Sequence, residues 1–163
     1  MKGIRDRVAV VGMGCTHFGE LWSKSADDLM VDASVEAFAD AGIEAKQIQA
    51  AWVGTYQSFR TGVGLAYPLK LQYVPVTRVE NACATGTDAF RNACYAVAAG
   101  VYDYVLAVGV EKQKDSGYAG LVANAEVISS ETAPQVPAPT QFALAATRYF
   151  HTFGLSFQEG KQM

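Results

Sequence analysis

Three stretches of the chain are continuous apolar runs that reach glycine. They are Val8-Ala9-Val10-Val11-Gly12, Ala50-Ala51-Trp52-Val53-Gly54 and Tyr104 to Val110, which contains Gly109. An unbroken run of this length predicts a strand buried on both faces of a parallel sheet. A shorter pattern, Val76 to Glu80, predicts a further strand. Between the first two runs the periodicity changes. Leu29, Met30, Ala33, Ala37, Phe38 and Ala41 recur at helical spacing, Ser25 stands at the N-cap with Asp28 three residues on as capping-box partner, and Gly42 closes the helix. Strand, helix, strand at this spacing is a βαβ unit. Gly62 to Tyr73 reads as a short helix, Ala84 to Ala99 as a longer one ended by Gly100, and Gln141 to Phe153 as another. Past Lys112 the pattern breaks down, and Ser129, Ser130, Pro134, Pro137 and Pro139 mark an irregular stretch. The expected division is an α/β unit over 1–115 and an appended region over 116–163.

With 163 residues, 50% of them hydrophobic and 18% charged, the chain can bury a core. The formal net charge of -3 and the lack of a Lys/Arg run argue against nucleic acid or an anionic membrane as partner. No apolar run reaches the ~18 residues of a membrane span, and the N-terminus lacks a signal-peptide profile, so a cytoplasmic protein is expected. Cys15, Cys83 and Cys94 are odd in number and unrelated in spacing, which suits neither a disulfide framework nor a metal site.

Cys83 is the candidate catalytic residue. It lies where the Val76–Glu80 strand gives way within a few residues to a helix, and the free N–H groups and positive dipole end of a helix favour a thiolate over a thiol. The competing reading is a small buried hydrophobe. Cys15 and Cys94 read as packing residues, Cys94 being too far along its helix to feel the terminal dipole. His17 and His151 are candidate bases for Cys83, though lone histidines are more often surface or hydrogen-bonded residues. Gly12-Met13-Gly14 after the first run invites a dinucleotide-binding reading, but His17 stands where the third glycine of that fingerprint belongs. Tyr56, Phe59, Tyr67 and Tyr73 cluster between the second and third strands, where packing outweighs ligand stacking.

Asn81-Ala82-Cys83-Ala84-Thr85-Gly86-Thr87 resembles the nucleophile motif of the thiolase superfamily, in particular thiolases of the sterol carrier protein X type and acetyl-CoA acetyltransferases. Arg7 to Gly14 with Thr16-His17-Phe18-Gly19 is similar to their first strand and loop, Tyr104 to Lys112 to the strand after the nucleophile helix, and Phe142 to Ser156 to part of their substrate-covering region. His17 and Gln113 depart from the residues often found there, Lys and Met. The resemblance implies a thiolase-like fold, of which this chain supplies the N-terminal βαβαβ half with a mixed or parallel sheet and part of the loop domain, the C-terminal half being absent. By analogy the strands run in the order 3-2-1-4. The helix after Cys83, apolar on nearly every side, is expected to be buried all round as a middle layer only where the absent half supplies a second sheet, its apolar face staying exposed in this chain alone and drawing it into association. The implied activity is acyl transfer between a 3-ketoacyl-CoA and coenzyme A, as thiolysis or Claisen condensation, through a thioester on Cys83. Coenzyme A is then a substrate, no cofactor is tightly bound, and a homodimer is expected. The chain alone is expected to be inactive, because the family's activating histidine and second cysteine lie in the absent half. The alternatives are a non-catalytic or lyase-type subunit that binds CoA thioesters or a partner protein, and, more distantly, a ketoacyl synthase using carrier-protein thioesters.

Overall fold

The computed structural model describes residues 3–116 and 137–162. They belong to two compact units, Met1–Ser116 and Gly117–Met163. In the first unit, strand β1 (Ala50–Gly54) lies between β2 (Val76–Val79) and β3 (Val105–Gly109), all parallel, in the order β2-β1-β3. Helices α1 (Ala26–Ala41), α2 (Val63–Ala66) and α3 (Thr85–Ala98) pack around this sheet.

Alternation along the strands sorts the two faces. Ala51 and Val53 of β1 pair in register with Leu106 and Val108 of β3, and these side chains meet Met30 and Phe38 of α1 and Leu65 and Leu69 of α2 in one apolar core. The opposite face carries Ala50 and Gly54, in register with Val105 and Gly109, and receives α3 through its buried Ala89, Ala93 and Ala98. Small residues on both sides allow the close approach. At Gly54 the approach is tight enough to exclude a side chain, since a Cβ there would lie 2.9 Å from Thr85 Cγ2.

Helix α1 begins and ends as its sequence predicts. The Ser25 hydroxyl accepts a hydrogen bond from the Asp28 N–H at 3.1 Å, the Asp28 carboxylate accepts from the Ser25 N–H at 2.8 Å, and Gly42 closes the helix at φ 67. The bonds that the Asp28 carboxylate accepts, first from the Ser25 N–H and then from the Ser25 hydroxyl at 2.8 Å, hold that carboxyl below its ordinary range.

Three expectations are corrected. Val8 to Gly12 is extended but joins no ladder. Its neighbours are on α1, where a Cβ on Gly12 would lie 2.3 Å from the Ala37 carbonyl oxygen and one on Gly14 2.0 Å from that of Ala33. The N–H groups of Met13 and Cys15 donate to the Asp40 and Glu36 carboxylates of α1, and Val10 and Val11 remain more than half exposed. The order 3-2-1-4 therefore reads 3-2-4 among the described residues, with the fourth strand beside the second. Helix α3 covers one face of the sheet and leaves Phe90 and Tyr95 about half exposed, the open apolar face expected of this chain without a second sheet. The helix expected over Gly62–Tyr73 contracts to Val63–Ala66.

In the second unit, α4 runs Ala138–Phe153, starting ahead of the expected Gln141 because Pro139 falls in the first turn, where no intrahelical donor is needed. Gly154 at φ 64 ends it, and α5 (Phe157–Gly160) follows behind a Ser156–Glu159 capping box. The irregular stretch through Ser129, Ser130 and Pro134 lies outside the described residues. Among those described, no helix is long and apolar enough to cross a membrane.

Candidate functional site

The carboxyl ends of parallel strands are where open α/β sheets place their ligands. Cys83 stands at that end of β2, exposed, in a 3-10 turn over Ala82–Ala84 that runs directly into α3. The turn is held from both sides. Thr85 Oγ1 accepts from the Asn81 N–H at 2.8 Å and donates to the Ala82 carbonyl at 2.7 Å, the Glu80 carboxylate accepts from the Ala82 N–H, and the Ala84 N–H closes onto the Asn81 carbonyl at 2.9 Å. These bonds keep Ala82 at φ 44, a left-handed conformation that a residue with a Cβ rarely adopts and that clusters at functional sites.

Thr85 is buried and sits against Gly54, so the same side chain ties the turn to the end of β1. Thr85→Val keeps its shape and removes both hydroxyl bonds. The orphaned Asn81 N–H and Ala82 carbonyl should lower stability by about 1–3 kcal/mol, and iodoacetamide should alkylate Cys83 at a changed rate as Ala82 relaxes. Thermal unfolding and labelling kinetics check this, and unchanged values in both would show that the hydroxyl does not hold the turn.

A second structure stands at the same end of the sheet. The loop that leaves β1, residues 55–59, is gripped by two charged side chains. From β2, Arg78 donates through Nη2 to the carbonyls of Thr55 at 2.7 Å and Tyr56 at 3.0 Å, and through Nε to that of Phe59 at 2.9 Å. From the end of β3, the Glu111 carboxylate accepts from the N–H groups of Tyr56 at 2.7 Å and Gln57 at 3.2 Å and from the Ser58 hydroxyl at 2.9 Å. The buried Thr55 hydroxyl accepts from the Ser58 N–H at 3.0 Å.

The remaining candidates stand elsewhere. Cys15 is exposed on the extended segment beside Glu36, Cys94 is half-buried on α3, His17 is exposed on the segment after Cys15, and His151 is exposed on α4 of the second unit. Gly12 and Gly14 make room for the α1 backbone, which accounts for the Gly-Met-Gly spelling through packing. Of the clustered aromatics, Phe59 packs against the core, whereas Tyr67 and Tyr73 are largely exposed. Arg78 and Glu111 had not been singled out from the sequence. Their signal was there, an arginine inside a strand pattern and a glutamate directly after an apolar run.

The family model described as thiolase, N-terminal domain, matches residues 8–155. An acetyl-CoA acetyltransferase of Methanocaldococcus jannaschii is 39% identical over 96% of this chain and 41% of its own length, so the chain spans about two fifths of that relative. The sterol carrier protein 2 of Gallus gallus is 38% identical over 67% of this chain and 21% of its own. Among solved structures, the Ltp2-ChsH2(DUF35) aldolase superposes with a TM-score of 0.60 and 23% identity over 91% of this chain and 39% of that one, a likeness of fold.

Proposed function

The chain belongs to the thiolase family, and from that membership we propose that it carries the nucleophile of an acyl-transfer reaction between a 3-ketoacyl-CoA and coenzyme A. Cys83 is the nucleophile in this reading. Its thiolate attacks the 3-keto carbon, the bond between C2 and C3 breaks with its electron pair going to C2, and the resulting acetyl-CoA enolate takes up a proton. The acyl group stays on Cys83 as a thioester until a coenzyme A thiol displaces it. Run backwards, the same steps are a Claisen condensation. Covalent catalysis divides one difficult carbon–carbon step into two easier ones. The backbone N–H groups at the start of α3 are suited to the oxyanion of the attacked carbonyl. We assign the proton transfers to neither His17 nor His151, and place the acid/base groups in the part of such a protein that these residues do not span. Coenzyme A enters as substrate.

The observation that carries this reading is the exposed thiol in a strained turn between β2 and α3, at the carboxyl end of the sheet. Incubation with acetoacetyl-CoA at mildly alkaline pH, where a thiol needs no partner base to ionise, should add one acetyl group to the peptide that contains Cys83. Peptide mass mapping reads the result. Binding of the thioester without an adduct would favour the lyase-type or non-catalytic alternative, and an adduct on Cys15 would overturn the assignment.

A further inference from the structure

We propose that Arg78 and Glu111 are positioning residues that act as one device, holding the Tyr56–Gln57 main chain as a fixed wall beside the Cys83 turn. This rests on the acyl-transfer reading of Cys83. The argument begins with which atoms each side chain holds. The peptide group joining Thr55 to Tyr56 gives its carbonyl to Arg78 at 2.7 Å and its N–H to Glu111 at 2.7 Å. The next, joining Tyr56 to Gln57, gives its carbonyl to Arg78 at 3.0 Å and its N–H to Glu111 at 3.2 Å. Two successive peptide units are thus held at both ends, with a cation at their carbonyls and an anion at their N–H groups. That orientation matches each peptide dipole, and charge-assisted bonds are stronger than neutral ones. The two charges meet through the loop, so each grips harder while the other is present, because hydrogen bonds in a chain polarise one another.

The location connects this device to the chemistry. Arg78 is on β2, five residues ahead of Cys83 on the strand that delivers the nucleophile, and Glu111 lies two residues past the end of β3. The clamped loop leaves β1 at Gly54, the residue against which Thr85 of the nucleophile turn is seated. All three strand ends therefore converge on one rim, and the clamp ties β2 and β3 across β1. A loop leaving a strand is ordinarily a mobile part of a protein. Here the carbonyls of Thr55 and Tyr56 and the N–H groups of Tyr56 and Gln57 are held, as a surface that must present a bulky thioester to a small thiol requires.

The test uses Arg78→Met, Arg78→Lys, Glu111→Gln and the double variant Arg78→Met/Glu111→Gln in the full chain. Hydrogen exchange at the Tyr56 and Gln57 amides is the first readout. Arg78 touches only the carbonyl side, yet Arg78→Met should speed exchange of both amides at least tenfold, with the core amide of Val53 as control for general loosening. Arg78→Lys should fall between, since a point charge cannot reproduce the fork. The second readout is acetylation of Cys83 by acetoacetyl-CoA divided by its alkylation by iodoacetamide, a reagent too small to need a wall. That ratio should fall at least tenfold in Arg78→Met and in Glu111→Gln, less in Arg78→Lys, and little further in the double. Unchanged exchange at both amides in Arg78→Met would overturn the coupling, and an unchanged ratio alongside faster exchange would overturn the positioning role. If the unsubstituted protein is never acetylated at Cys83, the acyl-transfer reading falls, and the exchange measurement alone decides the clamp.

Discussion

Cys83→Ala should abolish the acyl adduct altogether while leaving the fold intact. The thiol is exposed and fills no core position, so its removal opens no cavity and stability should change by no more than about 0.5 kcal/mol. Cys15→Ala and Cys94→Ala should keep full adduct formation, because neither residue stands where a strand hands the chain to a helix. Iodoacetamide should likewise mark Cys83 ahead of the other two. Cys15 is the sharper control, since it is also exposed, and equal labelling of the two would mean that accessibility alone governs the reaction. Mass mapping of the three single variants, with thermal unfolding beside it, makes the measurement. An adduct that survives in Cys83→Ala would remove the nucleophile from this scheme.

Leu65→Ala should be the most damaging single substitution for stability, at about 3 kcal/mol. Leu65 is 0% exposed and belongs to the core with Met30 of α1 and Val53 of β1. It is carried by the four-residue helix α2, whose approach is set by Gly62, where a Cβ would stand 2.1 Å from the Val76 carbonyl oxygen. So short an element, backed closely onto β2, has little freedom to collapse into the space left behind, and the cavity term should be felt in full. Domains are stable by only about 5–15 kcal/mol, so this loss is a large share of the total. A denaturant titration should show a lower midpoint at unchanged slope. An unchanged midpoint would show that the core refills the site.

Local features were readable in advance wherever a few neighbouring residues decide the outcome. Ser25, Asp28 and Gly42 specify the ends of α1 through their own side chains and backbone, and the structure has the capping box and the left-handed closure at those residues. The apolar runs at Ala50–Gly54 and near Val105–Gly109 became parallel strands, and the short stretch between Val79 and Thr85 could be recognised as a strand-to-helix junction. These properties depend on propensity, periodicity and caps, all of which act within a few positions of chain.

Pairing and coupling across the fold were not readable in this way. Val8–Gly12 has the spelling of a buried strand, yet ladder bonds require a partner edge, and Gly12 and Gly14 instead seat the segment on the α1 backbone. Helix α3 is apolar on nearly every side, but its alanines alone do not say which side meets a sheet. Only the small residues at Ala50 and Gly54, on the face where Thr85 leaves no room for a side chain, decide that. Arg78 and Glu111 are 33 positions apart in the chain, and nothing local relates a cation in one strand to an anion after another. The sequence by itself determined α1 with both its ends, the three strands that pair, and the place of the thiol between strand and helix. The tertiary structure alone decided that two charges from separate strands grip the same two peptide groups, because hydrogen bonding depends on distance and direction in space, and separation along the chain carries no information about either.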